Sequence, residues 1–132
     1  MNEGLYWLTL TALMTGLFWV PYILNRFKEM GIISALMSPN ADPTPEAAWA
    51  SRMMKAHENA VQNLVVFAPL VLAVHISGTG TAQTAMAAMV YFFARLAHYI
   101  IYTLGVPLLR TVTFLVGFAC QVSLALNLLG VL

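Results

Sequence analysis

The sequence predicts an all-α integral membrane protein folded as a four-helix bundle. Three observations predict it. The 132-residue chain is 61% hydrophobic, with a mean hydropathy of +0.80. Only 8% of its residues are charged, against about 25% in soluble domains, so a soluble fold could not cover itself with polar surface. Finally, the apolar residues gather into four runs, each near the roughly 20 residues a helix needs to cross hydrocarbon. The runs are too long and too continuous for barrel strands, and helices are the other structure that satisfies its backbone inside lipid.

The first run covers about residues 5–24 and carries no charge. It does not read as a signal peptide. Glu3 precedes it instead of a basic patch, and Trp19, Pro21 and Tyr22 occupy the place of small cleavage residues. The second covers about 59–77, with an amphipathic lead-in that starts the expected helix at 51. The third covers about 81–104 and is interrupted by Arg95 and His98. The fourth is uncharged from 111 onward, and its helix is expected over about 108–131. Between them, 28–50 forms the longest loop, and its "SPNADPTPEAAW" is dense in helix breakers. Thr44 as N-cap with Pro45 at the first helical position is the expected opening of the next helix. "SGTGT" (77–81) and "GVP" (105–107) are tight connections, so the helices they join run antiparallel. The whole chain is one domain.

Charge gives the bundle two unlike ends. Arg26, Lys28, Arg52 and Lys55 flank the first loop, and Arg110 follows the third. The second loop and both termini carry no Lys or Arg. Loops one and three are therefore expected in the cytoplasm and both termini outside. With this polarity "KAHENAVQN" (55–63) is the inner end of the second span, and Arg95, His98 and Tyr102 lie near the inner end of the third. Gln62 and Arg95 are about 12–15 Å in from their helix ends. An arginine at such depth costs on the order of 3 kcal/mol and must face the bundle interior or a wet cavity. Lys55, Asn59 and Gln62 share one helical face, with Arg52 near it. Arg95, His98 and Tyr102 share another. Two such stripes at one depth predict a cationic cavity suited to an anionic ligand.

Simpler roles exist for several of these residues. Arg52, Lys55 and Arg110 can be interfacial anchors, and Asn59 and Gln62 interhelical hydrogen-bond glue. Tyr6, Trp7, Trp19, Tyr22 and Trp49 fit an aromatic belt, and His75 a plain interfacial position. A net charge of +1 gives no footprint for nucleic acid. The single Cys120 makes neither an intrachain disulfide nor a cysteine-based metal site. His57 and His98 do not make two haem axial pairs. A proton-coupled exporter needs a membrane-embedded acid, and the first, third and fourth runs have none.

At these residues the sequence resembles the MAPEG family, the membrane-associated proteins in eicosanoid and glutathione metabolism. "RMMKAHENAVQN" is similar to the family's Arg-x-x-(basic)-Ala-His-x-Asn-x-x-Glu pattern and aligns Arg52, Lys55, His57 and Asn59. "ARLAHYIIYTLGVPLLRTVTF" is similar to its Arg-x-x-His-x-x-x-Tyr followed by an arginine before the fourth helix. It aligns Arg95, His98, Tyr102 and Arg110. The resemblance covers most of the chain and points to a compact, bacterial-type member of the inner membrane.

The resemblance implies a homotrimer with glutathione, as cosubstrate, bound between subunits on the cytoplasmic side. The lipophilic partner substrate would enter laterally from the membrane lipids, beside the fourth helix. Family enzymes conjugate glutathione to electrophilic lipids, reduce lipid hydroperoxides or isomerise lipid endoperoxides. Arg110 is implied as the catalytic residue that stabilises the thiolate, with Thr111 adding a hydroxyl. Arg52 and Arg95, with Arg26 or Lys55, would hold carboxylates, Asn59 and Tyr102 the peptide. His57, Gln62 and His98 complete the implied binding set. A guanidinium and a helix N-terminus both lower a thiol's pKa from about 8.5.

Three positions depart from the pattern. Gln62 stands where the eicosanoid enzymes have Glu, Glu58 where they often carry a base, and Phe114 where some members have Tyr. These departures motivate the alternative expectation of a non-catalytic trimer that binds a lipid or a small anionic ligand.

Overall fold

A computed structural model describes residues 2–39 and 44–131. Six helices follow in order: α1 (Glu3–Leu17), α2 (Val20–Met30), α3 (Ile32–Met37), α4 (Ala48–Ser77), α5 (Ala82–Leu104) and α6 (Pro107–Leu128). Among the described residues there is no strand. Four spans are long and apolar enough to cross a membrane: Glu3–Met30, Ala48–Ser77, Ala82–Leu104 and Pro107–Leu128. The chain is thus an all-α, multi-pass integral membrane bundle.

α5 is the central element. It packs on α1, α4 and α6, and 44% of its span is buried, against 17–22% for the others. Lipid tails are as apolar as leucine, so close packing and hydrogen bonds, rather than exclusion of water, hold such helices together. Small residues make that approach possible: Ala56 and Ala60 on α4, Ala87, Ala88 and Ala94 on α5, and Gly117 on α6 are all buried. Two parallel ring stacks fix the register. Phe67 lies on Tyr91 with centroids 3.7 Å apart, joining α4 to α5. Phe18 lies on Tyr99, also at 3.7 Å, and the Tyr99 hydroxyl donates to the Phe18 carbonyl at 2.8 Å. Phe18 is at the break between α1 and α2, where Pro21 starts a new first turn. The donated hydroxyl satisfies a carbonyl that the break frees.

The turns follow the sequence signals with one correction. Thr81 caps α5 through a reciprocal bond pair with Thr84, and Gly78 closes α4 in the left-handed region. The opening of α4 differs. The helix starts at Ala48 with Ala47 as N-cap, not at Thr44 and Pro45. Alanine has no capping oxygen, and Glu29 supplies one from α2. Its carboxylate accepts the backbone N–H of Glu46 at 2.9 Å and of Ala47 at 3.1 Å, and is itself held by Asn25 Nδ2 at 2.7 Å. Replacing Glu29 by alanine should fray this end, at about 1 kcal/mol as for a lost cap. Hydrogen exchange across residues 46–51 should accelerate, with the α4–α5 core unchanged.

The expected first helix also proves too short, and the first loop too long. The span continues to Met30, and α3 occupies 32–37. Gly31, at φ +81°, separates α2 from α3. Asn40, Asp42 and Pro43, read as breakers, lie outside the described residues.

Candidate functional site

Helix α4 begins, and α5 ends, at the end of the bundle beside α3, which brings both motifs together there. Arg52 comes from the first turns of α4. Its Nε donates to the Thr103 carbonyl at 2.9 Å, and its guanidinium lies flat over the turn after α5. Gly105 makes room for it: φ is +80°, and a Cβ there would meet Arg52 Nε at 3.2 Å. Gly105→Ala should therefore cost about 1–2 kcal/mol for the left-handed backbone alone. It should also push Arg52 off Thr103, read as a lower thermal unfolding midpoint in micelles. His57, one and a half turns on, accepts or donates to the Tyr22 hydroxyl at 2.8 Å and meets the edge of Phe18. It ties α4 to the α1–α2 break.

The middle of the bundle holds a polar ladder. Arg95, on α5, donates through Nη2 to Asn59 Oδ1 on α4. Asn63 Nδ2, one turn further along α4, donates to the Asn59 carbonyl at 2.9 Å and to its Oδ1 at 3.3 Å. Gln121, on α6, donates to the Asn63 carbonyl at 3.2 Å. Arg95 Nη2 also lies 3.3 Å from His98 Nδ1. A guanidinium has no acceptor, so Nδ1 accepts and the His98 proton sits on Nε2. Arg95 and His98 are each only 2% exposed, and Arg95 Nε is buried without a partner.

The ladder continues as rings toward the α3 end. His98 meets Tyr102 edge-on at 5.6 Å and Phe114 at 6.2 Å. Above the Tyr102 face sits the Arg110 guanidinium, 4.8 Å from the ring centroid. The backbone N–H of Arg110 is bonded within the helix, to the Val106 carbonyl at 3.2 Å, while among the described residues its guanidinium donates no hydrogen bond and meets the Tyr102 ring. Pro107, at the first position of α6, places Arg110 in that helix's first turn.

The predicted residues separate into three groups. Asn59, Arg95, His98, Tyr102 and Arg110 form one continuous chain. Arg52 and His57 lie on α4 beside it, held by the Thr103 carbonyl and the Tyr22 hydroxyl. Lys55 and Gln62 are exposed and face away from the bundle, as does Glu58. The expected common stripe of Lys55, Asn59 and Gln62 thus divides, with Asn59 turned inward toward α5. The expected cationic cavity between the two stripes is filled instead by the Asn59–Arg95 contact. Thr111 is exposed and returns its hydroxyl to the Pro107 carbonyl at 3.2 Å. Arg26 lines a separate cavity of about 160 Å³ with Tyr22, Glu29 and Met54. A larger cavity of about 520 Å³ opens at the opposite end, around Gly4, Val71, His75 and Thr84, and no predicted site residue lines it.

Sequence reasoning missed Gln121, Asn63, Tyr22 and Glu29 as partners. Asn63 carried a signal, since it lies four residues from Asn59 and so on its face. Gln121 is an amide in an apolar run, which in lipid needs a partner. Glu29 lies four residues from Asn25 and so on its face, but its bonds to Glu46 and Ala47, like that of Tyr22 to His57, join residues distant in sequence and carried no signal.

A model of the MAPEG family matches residues 4–130 of the chain. No curated protein and no solved structure matches it.

Proposed function

Because the chain belongs to the MAPEG family, we propose that it is a membrane-bound glutathione transferase or peroxidase. It activates the glutathione thiol for attack on a lipophilic electrophile or hydroperoxide. Arg110 carries this reading. It is a guanidinium in the first turn of a membrane helix, braced on Tyr102, with its donors uncommitted within the chain. A helix N-terminus and a cation together favour a thiolate over a thiol. The thiolate displaces a leaving group from an electrophile, forming a thioether. With a hydroperoxide it attacks the terminal oxygen and breaks the O–O bond, forming glutathione sulfenic acid and an alkoxide that takes a proton from water, and a second glutathione converts the sulfenic acid to the disulfide and water.

The outward-facing side chains support a site shared between copies. Lys55, Glu58 and Gln62 are exposed on a membrane-spanning helix, where polar groups avoid lipid. In a homotrimer they would face a neighbour, and Lys55 with the free edge of Arg52 would hold glutathione carboxylates. Asn59 and Arg95, already bonded to each other, act in this reading as the rigid backing of the site. In this reading, which the charge asymmetry supports, the site faces the cytoplasm, and the substrate reaches it from the lipid beside α6.

Gln62 and Phe114 favour a second reading, a non-catalytic trimer that holds a lipid or small anion. Calorimetric titration with glutathione, beside turnover of a standard aryl halide electrophile, separates the two. Saturable heat with turnover supports the enzyme. No heat at millimolar glutathione, and no turnover, supports the second reading.

A further inference from the structure

Five of the six residues of α3 are apolar, Ile32, Ile33, Ala35, Leu36 and Met37, and Ser34 is the one polar position. Ile33 is 74% exposed and Met37 78%, with Leu36 and Ile32 not far behind. Its packing is against α2. A helix of under two turns does not persist in water on its own propensity, and one that exposes four large apolar side chains needs an apolar surrounding. Something apolar therefore covers it.

Its position says what. The first membrane span ends at Met30, and α3 begins two residues later. That span is divided at Phe18 and Trp19 into α1 and α2, so it is not one straight rod. Its last large exposed apolar residue is Leu24, and Arg26 and Lys28 follow, which sets the end of α2 at the level of the headgroups. Gly31, at φ +81°, breaks the helix axis there, so α3 does not continue the span outward. Lys28 is exposed in the last turn of α2, and Arg26, Arg52 and Lys55 belong to the same end. A surrounding acyl-chain phase is apolar on all sides, which suits side chains exposed around most of the helix.

We propose that α3 is an interfacial helix seated in the acyl-chain boundary of the leaflet at this end, with Lys28 reaching the anionic headgroups. The bilayer then holds α3, beside the Glu29 clamp.

Nitroxide collision measurements test this. In a Cys120→Ala background, Ile33→Cys, Leu36→Cys and Met37→Cys would each be labelled in protein reconstituted into vesicles of phosphatidylglycerol and phosphatidylcholine. Glu46→Cys is the reference for a water-exposed site. The expected result is oxygen access exceeding access of a water-soluble nickel chelate at all three α3 positions, several-fold above the ratio at 46. Nickel access matching the reference would place α3 in water and overturn the proposal. Low access to both reagents would mean protein cover, and would overturn it too. Dipolar broadening between labels would then identify the cover as a second copy.

Discussion

Arg110→Ala lowers turnover with a lipophilic electrophile by on the order of 10²–10³, the usual loss when one charge-stabilising donor is removed. The assembly state and helix content stay unchanged. The second half of this expectation comes from the geometry. Among the described residues the Arg110 guanidinium donates no hydrogen bond and sits on the face of Tyr102, 4.8 Å from its centroid, so its removal strands no acceptor there. A cation–π contact at a partly wet site is worth about 0.5–1 kcal/mol, too little to unfold a membrane bundle. Arg110→Lys keeps the charge but not the planar fork that stacks on Tyr102. It should recover part of the rate and not all of it. Turnover and glutathione affinity measured on the same preparations check this. A loss in affinity alone, with turnover at saturation intact, would make Arg110 a binding residue and not the group that stabilises the thiolate.

Asn59→Leu destabilises the bundle by about 2–3 kcal/mol, as for a buried hydrogen bond to a charged group. Arg95 has no ion pair among the described residues, and Asn59 Oδ1 is its principal acceptor. Leucine would leave the guanidinium in the bundle with only His98 Nδ1 to accept from it. Arg95→Met in the same background should recover most of the loss, because the cation and its partner then go together. The cycle is read from unfolding in mixed micelles. Additive losses from Asn59→Leu and Arg95→Met would mean that the two side chains do not depend on each other. Asn63→Leu should be milder, since it removes a second donor to Asn59 and no charge.

The fold was legible because lipid writes a strong signal. Spans must be long, apolar and helical, so their number and rough limits follow from hydropathy. Gly78 and Gly105 marked the ends of α4 and α5, and Thr81 the start of α5. The start of α4 was not legible from Thr44 and Pro45. A local capping motif lost to Glu29, which comes from the preceding helix. Spacing did assign Arg95 and His98 to one face. Spacing cannot tell which side of a helix meets its own bundle, however. Lys55 and Gln62 fell outside while Asn59 fell inside, because residues three and four apart still differ by tens of degrees around the axis. An expected cavity became a packed ladder for the same reason. The polar side chains of the two helices meet each other at short range and leave no space between them.

The central claim is that Arg110 converts a bound glutathione thiol to its thiolate. The most direct measurement is the ultraviolet absorbance of the thiolate as glutathione is titrated into purified protein near neutral pH. The account predicts a saturable thiolate signal in the unaltered protein and its loss in Arg110→Ala, with glutathione still bound. A thiolate signal of full size in Arg110→Ala, with turnover intact, would contradict it.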